Sequence, residues 1–248
     1  MKRRLILVGR PRPDRENMIS LLAKIMVDAN AANPGIMPFT RLDGAPFPDD
    51  IPADSVVAYF SSKERFPSVL EECKKRRLAL IVASSGIETG RGGDVPFGLN
   101  VPVIMAPNLS PLIMAVFKAS LFIAEVSLRI GAKAYVAEGH QKTKTSAPAT
   151  AQKIADYFGK PPDSVGSIRN DAIARAVLGI PEDKLGGFGA HFVAVSHNGT
   201  NLRISFDTQG RAMYYDGLKL LLDRIEEIGD DLSPGIHEAH ELLFGNVS

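Results

Sequence analysis

The stretch between residues 138 and 151 carries the residue types most able to do chemistry in this chain. It reads Glu138-Gly-His-Gln-Lys-Thr-Lys-Thr-Ser-Ala-Pro-Ala-Thr-Ala151, with one histidine, two lysines and several hydroxyl groups around a proline. An apolar run, Ala132 to Ala137, precedes the stretch, and a helical pattern, Ala149 to Phe158, follows it. The stretch is therefore predicted to be a strand-to-helix loop, where side chains and free helix N–H groups converge on an anion.

Composition favours an ordinary globular protein. The chain has 248 residues, of which 45% are hydrophobic and 23% charged, and its net charge is +1. This balance gives no reason to expect nucleic acid or membrane as a partner. The single cysteine, Cys73, excludes an internal disulfide and a cysteine metal cluster, and suits the cytoplasm. We expect no apolar run that approaches the roughly 18 residues of a membrane helix.

The first half of the chain alternates apolar strands with helical patterns. Four apolar runs read as buried parallel strands: Leu5 to Val8, Val56 to Phe60, Leu78 to Val82 and Val101 to Met105. Such alternation predicts a parallel sheet with right-handed crossovers. Ligands bind such sheets where the strands end at their carboxyl side. Residues placed there are Gly9, Ser61, Ser84, Ser85, Gly86 and Asn108.

The pattern changes after Ser110. A long apolar helix, Leu112 to Ile130, leads to the strand before the polar stretch. Further apolar runs follow at 165–168, 189–196, 202–207 and 211–215, and Asn198-Gly199 is a hairpin signal between two of them. This half is therefore predicted to be a mixed or antiparallel sheet with helices. Residues 216–229 are predicted to form an amphipathic helix. A short helix with His237 and His240 on its surface is predicted at the end of the chain. No further metal ligand is evident near these histidines in the sequence, so no metal site is predicted.

The polar stretch resembles the signature of the dihydrodipicolinate reductases, the enzymes of lysine and diaminopimelate biosynthesis. That signature reads Glu-x-His-His-x-x-Lys-x-Asp-Ala-Pro-Ser-Gly-Thr-Ala. The residues that match it are His140, Lys144, Ala147, Pro148, Thr150 and Ala151. Gln141 replaces the second histidine, Ser146 replaces the aspartate, and Ala149 stands where Ser-Gly would be. Shorter resemblances lie, in family order, at 61, 84–86, 106–110, 189–191, 202–217 and 234–243.

The resemblance implies an α/β fold with a Rossmann-like parallel-sheet domain and a mixed-sheet α+β domain. The first is expected at residues 1–110, completed by 222–248, and the second, for substrate binding and oligomerisation, at 111–221. The family fold also implies a cytoplasmic homotetramer. Its enzymes transfer hydride from NADPH or NADH to a cyclic dicarboxylate. By resemblance, His140 and Lys144 are catalytic, and Thr150 binds substrate. Gln141, whose amide can hydrogen-bond a carboxylate, and Arg211, which follows a predicted strand, are also expected to bind substrate.

The loop after the first strand departs from a dinucleotide-binding pattern. Such loops need several glycines so that the backbone approaches the pyrophosphate, and only Gly9 is present here. Pro11 and Pro13 each lack an N–H donor. Arg10 and Arg12 can instead bind a phosphate through their side chains. The alternative, a surface connector without a ligand, stays open.

Three functions follow from these patterns. The first is an NAD(P)H-dependent reductase of 4-hydroxy-tetrahydrodipicolinate. The second is a reductase of another imine or enoyl acid, with the same chemistry on a different substrate. The third is a homologue without catalysis that binds a small dicarboxylate or regulates a partner, as the single glycine of the first loop and Gln141 indicate.

Overall fold

The computed structural model of the protein describes residues 4–9, 20, 22–24, 26–27, 39–42, 45–84, 86–90, 92–144, 147–209 and 213–245, with only the backbone of Val177 and Gln209. The chain divides into two compact units. Unit 1 comprises residues 1–114 and 212–248, and unit 2 comprises residues 115–211.

Unit 1 contains a parallel sheet in which six strands are described. In chain order they are β1 (Leu5–Val8), β2 (Phe39–Leu42), β3 (Val56–Tyr59), β4 (Ala79–Val82), β5 (Pro102–Met105) and β10 (Gly235–Glu238). Their order across the sheet is β10-β5-β4-β3-β1-β2, and each neighbouring pair is parallel. Strand β2 is added on one side of β1, and β3 and the later strands are added on the other side. The switch point, where such sheets bind ligands, therefore lies between β1 and β3.

The central strands are apolar throughout because both sheet faces are covered. In β1, Ile6 and Val8 contribute to one buried cluster, and Leu5 and Leu7 contribute to the other. The first cluster is covered by α1 (Phe66–Arg76), whose buried residues are Phe66, Val69, Leu70 and Cys73. The second is covered by α5 (Met213–Ile228), whose buried leucines and Ile225 recur at helical spacing. Burial on both faces explains why these strands lack polar alternation.

The end of the chain differs from the sequence prediction. His237 lies in strand β10, whereas His240 lies in the following helix, α6 (Ala239–Phe244), where it is buried at 3% exposure. The expected surface helix with both histidines is therefore wrong. Among the described residues, no cluster of three or more His, Cys, Asp or Glu is placed to hold a metal ion.

Unit 2 contains a mixed sheet of four described strands. They are β6 (Lys133–His140), β7 (Gly166–Ile168), β8 (Phe188–His197) and β9 (Thr200–Gln209), in the order β7-β6-β8-β9. The β6–β7 pair is parallel and the other two pairs are antiparallel. Asn198 and Gly199 form the predicted hairpin between β8 and β9, both with positive φ. With the parallel sheet of unit 1, this arrangement confirms the predicted α/β fold class.

Three helices belong wholly or mainly to unit 2. They are α2 (Pro111–Ile130), α3 (Ala149–Tyr157) and α4 (Asp171–Leu178). The aromatic rings of Phe117 in α2 and Tyr157 in α3 pack edge to face, with centroids 6.4 Å apart. Helix α4 was not predicted, although its ends carry clear signals: the Asn170 side chain accepts from the Ile173 N–H, and Gly179 ends the helix with φ 67°.

Two further expectations are wrong. Residues 213–215, expected in a strand, begin helix α5. Helix α2 is long and apolar enough to cross a membrane, with a mean hydropathy of 1.7 over 18 residues, although no such segment was expected. A buried helix of a water-soluble protein meets the same criterion, and 33% of this segment is buried. Its exposed apolar residues include Leu112, Phe122 and Leu128.

A close backbone approach inside unit 1 requires glycine at position 217. A β-carbon on Gly217 would lie 1.5 Å from the carbonyl oxygen of Leu109 and 2.6 Å from its carbonyl carbon. Since backbone atoms on both sides are fixed by α5 and by the turn after β5, neither can move away cheaply. Helix α5 can therefore lie against the turn after β5 only with glycine at this position.

We predict that Gly217→Ala lowers the free energy of unfolding by about 3 kcal/mol or more, because the added methyl group overlaps backbone. Urea unfolding followed by circular dichroism measures the effect. Gly186→Ala is the matched control, since a β-carbon there meets nothing within 4 Å. Equal stabilities of the two variants would contradict the packing described here.

Candidate active site

The end of β6 presents a glutamate and a histidine on one face of the unit 2 sheet. Glu138 and His140 are two residues apart, so both side chains point to the same side of the strand. The Glu138 side chain is fully buried, and its Oε2 contacts Nδ1 of His140. The His140 side chain is 15% exposed. A buried carboxylate beside a partly exposed imidazole is an arrangement suited to proton transfer.

The charge of Glu138 is balanced by residues from the neighbouring strand β7. Ser167 Oγ donates to Glu138 Oε1 at 2.6 Å. Arg169, which follows β7, places Nη2 2.7 Å from Oε1 and Nη1 3.0 Å from Oε2. Burial by itself would raise the pKa of Glu138, but the hydrogen bonds from His140, Arg169 and Ser167 lower it to about 2. Glu138 is therefore ionised at any physiological pH.

A second histidine lies beside His140 on strand β8. The ring of His191 packs edge to face with that of His140 at a centroid distance of 5.6 Å. Its other side stacks on the ring of Phe206 in β9 at 4.8 Å. Burial, assisted by the nearby His140, lowers the pKa of His191 to about 4. His191 is therefore neutral at neutral pH.

Gly189 provides the space that His140 occupies. Gly189 is the cross-strand partner of His140 in β8. A β-carbon on Gly189 would lie 2.9 Å from Nε2 of His140 and 3.3 Å from Thr208 Oγ1. The ring of His140 therefore extends over the glycine backbone, and a side chain at this position would force the ring to move.

The loop after β6 adds the predicted cation to this group. The N–H of Lys144 donates to the carbonyl of Gln141 at 3.0 Å, which turns the chain back after His140. Burial lowers the pKa of Lys144, and the positive charge of Arg169 lowers it further, whereas Glu138 acts in the opposite direction. The Lys144 ammonium group thus lies within the electrostatic range of Glu138, Arg169 and His191.

Two polar atoms of this region are buried without a hydrogen-bond partner among the described residues. They are Oε1 of Gln141 and Nδ1 of His191. An unpaired buried polar atom costs free energy, so a ligand that pairs with it is favoured. Thr150 is half-buried in the first turn of α3, where Pro148 precedes the helix without a side-chain cap. Among the described residues, the N-cap residue of this helix offers no side-chain acceptor to the first N–H groups.

The predicted cofactor residues of unit 1 lie at the carboxyl ends of its strands. Gly9 follows β1, Ser61 follows β3, and Ser84 and Gly86 follow β4. Ser84 Oγ donates to the Ser61 carbonyl at 2.7 Å, which links the ends of β3 and β4. Asn108 follows β5, and its Oδ1 accepts from the N–H of Ser110 at 3.0 Å, immediately before α2. Arg10, Arg12, Ser85 and Arg211 lie outside the described residues.

Sequence analysis missed Arg65 at this edge. Its Nη2 donates to the Ala45 carbonyl at 3.1 Å, and its Nη1 donates to the Gly9 carbonyl at 3.4 Å. Arg65 thus brings a positive charge to the end of β1. Arg65 and Gly9 are 56 positions apart in the sequence, so no local sequence pattern indicates this contact.

Sequence analysis also missed the roles of Glu138, Ser167, Arg169 and His191. Glu138 is the first residue of the polar stretch, and its spacing of two from His140 in a predicted strand was an available signal. Arg169 is 31 residues from Glu138, and β7 is only three residues long. Nothing local in the sequence connects these two residues.

Comparison with known proteins agrees with this fold. No family model matches the chain. A 4-hydroxy-tetrahydrodipicolinate reductase from Syntrophus aciditrophicus is 24% identical over 178 residues, which cover 67% of this chain and 66% of that protein. The chain thus matches slightly less than two thirds of that relative. A solved dihydrodipicolinate reductase from Paenisporosarcina sp. TG-14, with dipicolinate bound, superposes with a TM-score of 0.60 at 13% identity, covering 96% of this chain and 98% of that chain.

The fold is therefore that of a two-unit α/β protein with a Rossmann-like parallel sheet and a separate mixed sheet. The named relatives are reductases. The chain is similar in part of its sequence and in its fold to dihydrodipicolinate reductases, the family that the signature around His140 and Lys144 resembles.

The buried imidazole of His191 makes the stability of the protein sensitive to acid. Its pKa is about 4 in the folded protein and higher in the unfolded chain, so the unfolded chain binds more protons between about pH 6.5 and pH 4. Stability is therefore present above this window and is lost as the pH falls through it. By pH 5 the loss is on the order of 2 kcal/mol.

We predict that His191→Phe removes most of this acid sensitivity, because phenylalanine stacks on Phe206 without titrating. The measurement is the free energy of unfolding in urea at about pH 7.5 and pH 5. His197→Phe, at the half-buried far end of the same strand, controls for the added ring. If the wild type and His191→Phe lose the same free energy between these pH values, His191 is not the source.

Proposed function

We propose that the protein is an NAD(P)H-dependent reductase that converts 4-hydroxy-tetrahydrodipicolinate to tetrahydrodipicolinate, a step of lysine and diaminopimelate biosynthesis. The observation that carries the proposal is the Glu138–His140 pair with Lys144 beside it. This arrangement combines a buried, ionised carboxylate, a partly exposed imidazole and a lysine whose pKa is lowered. It suits the reduction of a ring that carries negative charge and must gain a proton.

The candidate site residues of unit 2 each have a role in this proposal. His140 and Lys144 supply the proton, and burial makes Lys144 a stronger acid than an exposed lysine. The ammonium group of Lys144 also holds one carboxylate of the substrate. Thr150 and the uncapped N–H groups at the start of α3 hold the other. Gln141 and Arg211 complete substrate binding.

The end of the unit 1 sheet fits a nicotinamide dinucleotide in its chemistry. Gly9 and Ser61 lie at the switch point between β1 and β3. Gly86 has φ 84°, and a β-carbon there would meet nothing within 4 Å, so the backbone after β4 is open to a ligand. Arg10 and Arg12 follow Gly9 in the sequence, and their guanidinium groups can bind a phosphate. When bound, NADPH or NADH supplies a hydride; Ser84, Ser85 and Asn108 would hold its nicotinamide end.

A second candidate is a homologue that binds a small dicarboxylate without reducing it, or that acts on another imine or enoyl acid. The contact of Arg65 with the Gly9 carbonyl favours binding without reduction, because a guanidinium lies where a glycine-rich loop usually leaves the backbone open to phosphate.

By family analogy, we further propose that the protein is a cytoplasmic homotetramer.

The first test is calorimetric binding of NADPH and NADH to the purified protein, with and without pyridine-2,6-dicarboxylate as a substrate mimic. We expect one nucleotide to bind and the dicarboxylate to tighten its binding. Dicarboxylate binding without nucleotide binding would instead support the second candidate. Binding of neither would contradict both.

Substitution of Lys144 tests the substrate site. We expect Lys144→Met to weaken dicarboxylate binding by about tenfold or more, since a charge-assisted hydrogen bond is lost. Lys160→Met, at an exposed position beyond α3, is the matched control and should bind as the wild type does. Equal affinities of both variants would show that Lys144 does not hold the carboxylate.

A further inference from the structure

The carboxylate of Glu138 has no capacity left for a substrate or for another proton. A carboxylate offers about four acceptor positions on its two oxygens. Oε1 accepts from Ser167 Oγ at 2.6 Å and lies 2.7 Å from Arg169 Nη2 in an ion pair. Oε2 accepts from Arg169 Nη1 at 3.0 Å and contacts Nδ1 of His140. All positions are used, and the side chain is fully buried.

This saturation determines which nitrogen of His140 is available. An ionised carboxylate only accepts hydrogen bonds, so Nδ1 of His140 must carry the hydrogen that faces Glu138. The remaining nitrogen, Nε2, extends over Gly189, where the missing β-carbon leaves room for it. Any proton that His140 exchanges with a ligand therefore passes through Nε2.

The geometry assigns Glu138, Arg169 and Ser167 as positioning residues that fix the ring orientation and tautomer of His140, so that Nε2 is the atom through which it exchanges a proton. This inference rests on the proposed function for its chemistry, but the assignment of the tautomer does not. Arg169 contacts both carboxylate oxygens of Glu138, one with each terminal nitrogen, and this bidentate contact fixes the orientation of the carboxylate plane. Ser167 adds a third fixed contact from strand β7.

Four charged or titratable residues surround the ring of His140. The charged and titratable groups that face it are Glu138 on its own strand, Arg169 after β7, His191 on β8 and Lys144 on the loop. Glu138 and Arg169 cancel each other's charge, and His191 stays neutral at neutral pH.

The test is nitrogen NMR of the imidazole rings in protein labelled at its histidines, with His140 assigned from the spectrum of His140→Gln. We expect neutral His140 in the wild type to carry its hydrogen on Nδ1. In Glu138→Gln, whose amide can donate as well as accept, we expect a mixture of tautomers or the Nε2–H form. The matched control is Glu182→Gln, since Glu182 pairs with Arg175 at 3.0 Å on the exposed surface of the same unit. It should leave the His140 signals unchanged.

Two further variants test the same inference in case Glu138→Gln does not fold. Ser167→Ala removes one donor and should shift the His140 signals in the same direction as Glu138→Gln, but less. Arg169→Lys keeps the charge without the two-point fork and should broaden or split them, whereas the control Arg175→Lys should not. Thermal unfolding of each variant shows which are folded. A wild-type Nε2–H tautomer, or unchanged His140 signals in folded Glu138→Gln and Ser167→Ala, would overturn the inference.

Activity separates this inference from the proposed function. If the wild type reduces the dicarboxylate, Glu138→Gln should lower kcat at least tenfold with KM changed less than threefold, and Glu182→Gln should change neither. Wild-type turnover with an unaffected kcat in Glu138→Gln would overturn the positioning role. If the wild type shows no turnover, the proposed function fails, and the NMR result alone decides the tautomer.

Discussion

The buried carboxylate of Glu138 is the constraint on which the arrangement of unit 2 depends. An ionised carboxylate removed from water costs several kcal/mol unless charged and polar partners surround it. Its partners come from β6 itself and from β7 and the residue that follows it. The short strand β7 pairs with β6 in parallel and, from this position, brings Ser167 and Arg169 to the charge of Glu138. Strand β8, on the other side, supplies the glycine that gives the His140 ring its space.

The sequence predicted those parts of the fold whose cause is local. The four apolar runs of unit 1 are strands because both faces of a parallel sheet are covered, and this leaves a continuous apolar signal. His140 and Lys144 could be selected as candidates because the polar stretch that contains them is contiguous. Strand β10 was missed because it lies at the sheet edge, where its Gly-Ile-His-Glu sequence is only half-buried and shows no apolar run. Arg169 was missed because its partner Glu138 is distant in sequence.

The two units rely on different kinds of constraint. In unit 1 the evidence of function is backbone geometry: strand ends at a switch point, an open glycine after β4, and an arginine that reaches the end of β1. Many different ligands bind at such features, so they locate a binding site without identifying its reaction. In unit 2 the evidence is a specific set of charges within hydrogen-bond distance. The identity of the chemistry therefore rests on unit 2.

A charge network of this kind is poorly explained by stability alone. Replacing a buried ion pair with apolar residues of similar volume is often neutral or stabilising, because the desolvation of the ions offsets their attraction. Unit 2 already has an apolar cluster around Phe188 and Ala190 on its sheet. Its fold therefore does not need Glu138 and Arg169 as a substitute for packing. What the pair does that apolar residues cannot do is to hold one imidazole in one tautomer beside a half-buried lysine, and that requirement is chemical.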